Sequence, residues 1–242
     1  MKVIFDCDGV LVDTEKVSAE VLQLCLQEQG VVLALEDIFN QFRGKSIAVC
    51  ASQVHALLAE TPEYSGYMAS DLQKVAEAFW RQVQDKTLEA FARGVSVVPG
   101  IERVLQTLQT MGVEFAVASN GKHEKMQVTL GSTGLLTFFN NRLFSATDVA
   151  QGKPAPDLFL LAARTMGASA QQCMVVEDSL SGACAAHAAG MGLIAYCPEP
   201  DADFDRQMQD LGAYIIRTMD ELIPTLRQQF TDLLKAGVDR DT

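Results

Sequence analysis

The chain has 242 residues, 48% of them hydrophobic and 21% charged, which is enough apolar side chain for a sizeable core and too much for a disordered scaffold. A formal net charge of −12 argues against a binder of nucleic acid or anionic membrane, because phosphate-rich surfaces are held by clustered Lys and Arg. An anionic small molecule would need local cations, supplied by a metal ion and one or two placed basic residues.

Lys2 to Phe5 is a short apolar run ending at an acidic cluster, the pattern of a buried parallel strand that delivers polar groups at its C-terminal end. From about Glu15 to about Arg93 the periodicity is helical, with Val17, Val21 and Leu24 on one face and Val75, Phe79, Trp80 and Val83 on another. Pro99 opens a helix that runs to about Met111 and stops at Gly112, and Glu114 to Ala118 is a second apolar strand, ending at Ser119-Asn120-Gly121. A helix from about Glu124, a strand near Leu143 to Ser145 and a helix from Asp157 to Met166 follow. Met174 to Val176 is a further strand, ending at Glu177-Asp178 before an Ala-rich helix that stops at Gly190. Leu193 to Tyr196 and Tyr214 to Ile216 read as two more strands.

This order predicts an α/β fold, a Rossmann-like parallel sheet flanked by helices with an all-helical domain inserted after the first strand. The expected division is a core of residues 1–14 and 94–242 and a helical insert of 15–93. Hinges are expected at Val12 to Glu15 and at Arg93 to Pro99, where Gly and Pro appear. The opening MKVIFDCDG puts an acidic pair where a secretory signal needs an apolar stretch, and no later run is long enough to span a bilayer, so a cytoplasmic location is expected. Six cysteines without a C-x-x-C pair, mostly in apolar stretches, read as reduced core thiols.

In open parallel sheets ligands bind beyond the C-terminal strand ends. Three predicted strands end in polar clusters: Asp6 and Asp8, Ser119 and Asn120, Glu177 and Asp178. Four carboxylates in one crevice would repel unless a cation lies among them, and Mg²⁺, a hard ion that prefers oxygen ligands, suits that set. An EF-hand loop starting at Asp6 fails, since its sixth and twelfth positions are Leu11 and Val17. A P-loop ending at Gly44-Lys45-Ser46 fails too, since its first glycine would fall at Phe39. Taken singly, Asp6 and Asp8 also fit a solvated turn, and Asn120, Asp178 and Ser179 also fit helix caps.

Together these segments resemble the haloacid-dehalogenase superfamily, whose four short motifs they match in order: DCDGV, Ser119-Asn120, Lys153 in GKPAPD, and Glu177-Asp178 in VVEDSLSG. The insert resembles the helical cap of the subgroup containing β-phosphoglucomutases and small sugar-phosphate phosphatases. The resemblance implies Asp6 as nucleophile and Mg²⁺ ligand, and Asp8 as acid and base whose backbone carbonyl also binds Mg²⁺. It implies Ser119, the Asn120 backbone and Lys153 as holders of the phosphoryl oxygens, Asp178 as a direct metal ligand and Glu177 as one acting through water. Arg43, Gly44 and Lys45 of the cap are candidates for the far end of the substrate, as are His123 and Lys125, although solvated charges describe these residues as well. The expected activity is Mg²⁺-dependent hydrolysis of a small phosphorylated metabolite, a sugar phosphate or sugar-acid phosphate, through an aspartyl-phosphate. Ser119-Asn120-Gly121 looks more like the phosphatases than the mutases, which leaves a phosphosugar mutase as the alternative. Dehalogenase chemistry would not need Asp8 or Asp178, and a non-catalytic binding protein would not need complete motifs. Neither nucleic acid nor membrane is an expected partner, and the oligomeric state stays open between a monomer and a weak dimer.

Overall fold

The computed structural model describes residues 1–42, 47–140 and 142–229, so Arg43, Gly44 and Lys45 lie outside the described residues. In chain order the elements are β1 (Lys2–Phe5), β2 (Val12–Asp13), α1 (Glu15–Glu28), α2 (Leu35–Phe42), α3 (Ile47–Ala59), α4 (Ala69–Arg93), β3 (Ser96–Val97), α5 (Ile101–Thr110) and β4 (Glu114–Ser119). They continue with α6 (His123–Ser132), α7 (Leu136–Phe139), β5 (Leu143–Ser145), α8 (Asp157–Thr165), β6 (Cys173–Glu177), α9 (Leu180–Ala188), β7 (Gly192–Tyr196), α10 (Ala202–Asp210) and β8 (Ala213–Ile216).

Six strands form one parallel sheet in the order β5-β4-β1-β6-β7-β8, flanked by helices as the alternating pattern predicts. From β1 the chain builds outward through β4 and β5, then returns to the other side of β1 and builds through β6, β7 and β8. That reversal beside β1 is the switch point at which open α/β sheets bind ligands. β1 is central, with Lys2 opposite both Glu114 of β4 and Cys173 of β6.

Side chains alternate across the strands, so each face of the sheet acquires its own core. Ile4, Ala116, Val175 and Leu193 share one core with Leu158 and Phe159 of α8 and Ala183 and Ala186 of α9. The small alanines let α9 lie close to β6 and β7. Phe5 and Phe115 point the other way and meet edge to face at 6.2 Å, with Phe139 of α7 against Phe115 at 5.4 Å. Burial of each such ring contributes about 1.5–3 kcal/mol.

The described chain divides into two compact units, Met1–Asp13 with Ser96–Thr242, and Thr14–Val95. The second contains α1 to α4 around its own core of Leu22, Leu26, Ile38, Val54, Leu58 and Phe79. Its two connections to the sheet unit are tied by a short antiparallel ladder, Val12 opposite Val97 and Asp13 opposite Ser96.

Besides the short β2 and β3, three local features depart from what the sequence predicts. The helix expected from Pro99 starts at Ile101, because Gly100 takes φ 87°, a left-handed conformation that cannot lie inside a helix. α10 was not expected from periodicity, since it buries only Met208; it is started by Asp201, whose Oδ1 accepts from the Asp203 and Phe204 N–H groups. The four-residue α7 is likewise absent from the sequence reading. All six cysteines are free, five of them buried, and among the described residues no helix is long and apolar enough to cross a membrane.

Candidate active site

The strand pairing of β1 continues one residue beyond Phe5: the Asp6 N–H donates to the Val176 carbonyl at 2.9 Å, which sets Asp6 beside the end of β6. β6 ends at Glu177, and Asp178 follows. One carboxylate oxygen from each of Asp6, Glu177 and Asp178 lies within 4.8 Å of the others. Gly9 makes room for this cluster. Its φ of +78° is left-handed, and a Cβ there would lie 1.9 Å from Asp178 Oδ2.

Lys153 reaches the same point from the loop before α8. Its Nζ donates to Asp6 Oδ1 and to Glu177 Oε1, each at 2.6 Å, and lies 4.8 Å from the centre of the Phe159 ring. The three side chains are 3%, 12% and 1% exposed, so water cannot stand in for either partner. Burial would lower the Lys153 pKa, but Asp6 and Glu177 outweigh it and raise it, which holds the ammonium charged. Burial pushes Asp6 up to about 7 against the pull of Lys153, with Glu177 and Asp8 adding to the rise.

Glu177 is saturated by donors. Besides Lys153 on Oε1, its Oε2 accepts from the Asp178 N–H at 2.9 Å, the Ser179 N–H at 2.8 Å and the Ser179 hydroxyl at 2.9 Å. Ser179 in turn caps α9 by accepting from the Gly182 N–H at 3.1 Å. Gly182 is required by this packing, since a Cβ there would lie 1.7 Å from Glu177 Oε1.

Ser119 ends β4 opposite Ser145 and is buried. Its Oγ accepts from the Gly121 N–H at 3.0 Å, while the Ser145 hydroxyl donates to the Gly121 carbonyl at 2.8 Å. The Asn120 side chain clamps the main chain of Lys153: Nδ2 donates to the Lys153 carbonyl at 3.0 Å and Oδ1 accepts from the Lys153 N–H at 2.8 Å. Gly152 leaves space for that clamp, because a Cβ there would lie 2.6 Å from Asn120 Oδ1. Asn120, expected to act through its backbone or as a helix cap, uses its side chain instead as this clamp, which joins two segments 33 residues apart.

The structure therefore brings Asp6, Lys153, Glu177 and Asp178 together and links Ser119 and Asn120 to them through the Lys153 loop. The Asp8 carboxylate stands outside the acidic triplet and bonds Lys125 Nζ through Oδ2 at 2.8 Å. His123, which the sequence left equivalent to Lys125, instead meets Asp148 through Nε2 at 2.8 Å. Ionised, three carboxylates against one ammonium leave an excess of negative charge, and the donors are all oxygen. That set fits a hard divalent cation.

The family model for haloacid dehalogenase-like hydrolases matches residues 3–190. The 6-phosphogluconate phosphatase of Escherichia coli (strain K12) is 33% identical over 202 residues, covering 82% of this chain and 83% of that protein. The phosphorylated carbohydrates phosphatase of Thermotoga maritima is 24% identical over 230 residues, covering 93% and 98%. Among solved structures, a HAD family hydrolase from Deinococcus radiodurans R1 with bound phosphate and sodium superposes with a TM-score of 0.70 at 29% identity, covering 96% of this chain and 95% of that one. The sheet order, the acidic strand ends and the matched span together show that the chain belongs to the haloacid dehalogenase-like hydrolase family.

Proposed function

We propose that the protein is a Mg²⁺-dependent phosphatase that hydrolyses a small phosphorylated metabolite, a sugar phosphate or sugar-acid phosphate, through an aspartyl-phosphate on Asp6. The observation that carries this reading is the convergence of Asp6, Asp178 and the Lys153 ammonium at the switch point of the sheet. The similarity to phosphatases of 6-phosphogluconate and of phosphorylated carbohydrates supports the substrate class.

Asp6, Asp178 and the Asp8 main-chain carbonyl would hold the Mg²⁺, with Glu177 acting on the site through its hold on Lys153 and on the start of α9. Bound Mg²⁺ would offset the charge of the phosphoryl oxygens beside the Asp6 carboxylate. An Asp6 carboxylate oxygen forms a bond to phosphorus in line with the ester oxygen, whose own bond to phosphorus breaks. The Asp8 carboxyl gives its proton to that leaving oxygen. Asp8, now a carboxylate, takes a proton from water as the water oxygen bonds to phosphorus, and phosphate leaves with Asp6 restored. Two N–H groups of Lys153 serve Asp6 and Glu177, so its third can bind a phosphoryl oxygen alongside the Ser119 hydroxyl and the Asn120 N–H. The resemblance to this family would assign the helical unit Thr14–Val95 the role of a cap that excludes bulk water and reads the rest of the substrate.

The test uses p-nitrophenyl phosphate. Wild-type protein with Mg²⁺ releases phosphate, Asp6→Asn does not while keeping its fold, and chelation silences the wild type. Turnover by Asp6→Asn, or activity indifferent to EDTA, defeats the reading.

A further inference from the structure

We propose that Lys125 is a positioning residue that holds the Asp8 carboxylate in place for proton exchange with the leaving group. This rests on the phosphatase reading above and adds to it a residue 117 positions away in the chain from the one on which it acts.

The contact is direct, Lys125 Nζ to Asp8 Oδ2 at 2.8 Å, with the two side chains 33% and 28% exposed. The pair is part-buried, and although burial would lower the Lys125 pKa, Asp8 outweighs it and raises it, so solvent screens the contact only in part. Its position in α6 is unfavourable for a purely structural lysine: Lys125 lies in the first helical turn, where the helix dipole opposes a cation. A negative partner fixed in front of that turn offsets the penalty, and Asp8 is such a partner.

A second contact on the same helix face reaches the residue before Asp8. Thr129, one turn beyond Lys125 on the same face, donates to the Lys125 carbonyl at 3.0 Å, and its Oγ1 lies 4.0 Å from Cys7 Sγ. One face of α6 thus meets consecutive residues Cys7 and Asp8, the first through Thr129 and the second through the charged contact of Lys125. Gly121 marks where this side chain passes: a Cβ there would stand 3.3 Å from Ser119 Oγ, 3.5 Å from Lys125 Cδ and 4.0 Å from Asp8 Oδ2. Lys125 therefore runs between the end of β4 and the Asp8 carboxylate, beside groups that the reaction uses.

The consequence is chemical. In the first step the proton on the Asp8 carboxyl moves to the leaving ester oxygen while the phosphorus–oxygen bond breaks and the Asp6–phosphorus bond forms. An aliphatic alkoxide needs that proton, whereas p-nitrophenolate is stable enough to leave almost without it. With one Asp8 oxygen held by Lys125, the carboxyl group has a fixed orientation toward the ester oxygen. Removing that hold takes away a charged contact that orients the group and loosens the transfer geometry.

The experiment measures kcat/KM, which reports on steps up to the loss of the leaving group, for wild type, Lys125→Met and Lys125→Arg. Two substrates are compared, p-nitrophenyl phosphate and an aliphatic phosphate monoester that the wild type hydrolyses. Lys125→Met should lower kcat/KM for the aliphatic ester about 10²-fold, and for p-nitrophenyl phosphate by no more than about tenfold. Lys125→Arg, which keeps the cation, should recover most of the loss. Equal losses on both substrates, or no loss on either, overturn the assignment. If Lys125→Met does not fold, Lys125→Gln is judged by the same ratio. An inactive wild type, or an active Asp6→Asn, overturns the phosphatase reading instead, so the two failures are distinct.

Discussion

Lys153→Met removes the ammonium from between Asp6 and Glu177 while keeping an apolar stem over Phe159. The side chains involved are almost out of water, and deleting one member of a buried ion cluster leaves its partners charged and unpaired, at a cost of about 3–5 kcal/mol. Glu177 keeps three donors on Oε2, so Asp6 suffers most. The pH dependence has a definite sign. Asp6 has a folded-state pKa of about 7, above its ordinary 3.8, so its ionisation weakens the fold as pH rises from the lower value through the higher one. Lys153 opposes that rise, and without it the folded-state pKa climbs further. The penalty of Lys153→Met should therefore be smaller near about pH 5, where native Asp6 can take up a proton, than near about pH 8. Urea unfolding in EDTA, followed by circular dichroism at both pH values, measures it. A penalty below about 1 kcal/mol near about pH 8, or a larger one at the acid end, refutes the reasoning.

Gly9→Ala introduces a side chain at φ +78° and 1.9 Å from Asp178 Oδ2, so Asp178 must move. Phosphatase activity should then need a higher Mg²⁺ concentration, and an unchanged Mg²⁺ titration would refute this. Asn120→Ala removes both hydrogen bonds to the Lys153 main chain and should lower stability by about 1–3 kcal/mol, with a fall in kcat from the loosened ammonium. Urea midpoints and steady-state rates check both parts, and a loss of stability with kcat intact would contradict the link to Lys153. Burial opposes ionisation of Asp148, but the Ser145 N–H and His123 outweigh it and hold its pKa below the usual 3.8. Its contribution is present above that ordinary value and is lost as pH falls through the lowered one, so Asp148→Asn should flatten the acid limb of thermal stability. An acid limb identical to the wild type's would count against it.

The parts of the fold legible in the sequence were those with a dense apolar signal. Val3, Ile4 and Phe5 before Asp6, and Met174, Val175 and Val176 before Glu177, are short apolar runs that fit strands buried on both faces, and the structure pairs them side by side. α10 escaped because a helix that buries Met208 alone has no apolar stripe, although Asp201 was a readable cap. β2 and β3 are two residues each, too short for any period to show.

At the site, the residue types pointed to the chemistry, while the contacts between distant segments were beyond local reading. Nothing near Asn120 says that its amide grips the Lys153 main chain, and nothing near Lys125 names Asp8 rather than solvent. A weak signal existed for Lys125, a cation in the first turn of a helix where the dipole disfavours it. Glu177, expected beside Asp178 to act on the metal through water, lies in the acidic triplet, and local reading gave no sign of the four protein donors that also tie its carboxylate to Lys153 and the start of α9.

The central claim is that Asp6 carries the phosphoryl group between substrate and water. Rapid acid quench during turnover of an aliphatic phosphate ester, followed by mass spectrometry of the peptide containing Asp6, measures this directly. A fraction of that peptide should be heavier by one phosphoryl group, localised to Asp6, and should disappear once substrate is exhausted. Full turnover with no phosphorylated Asp6 at any quench time, or with the label on another residue, would contradict it.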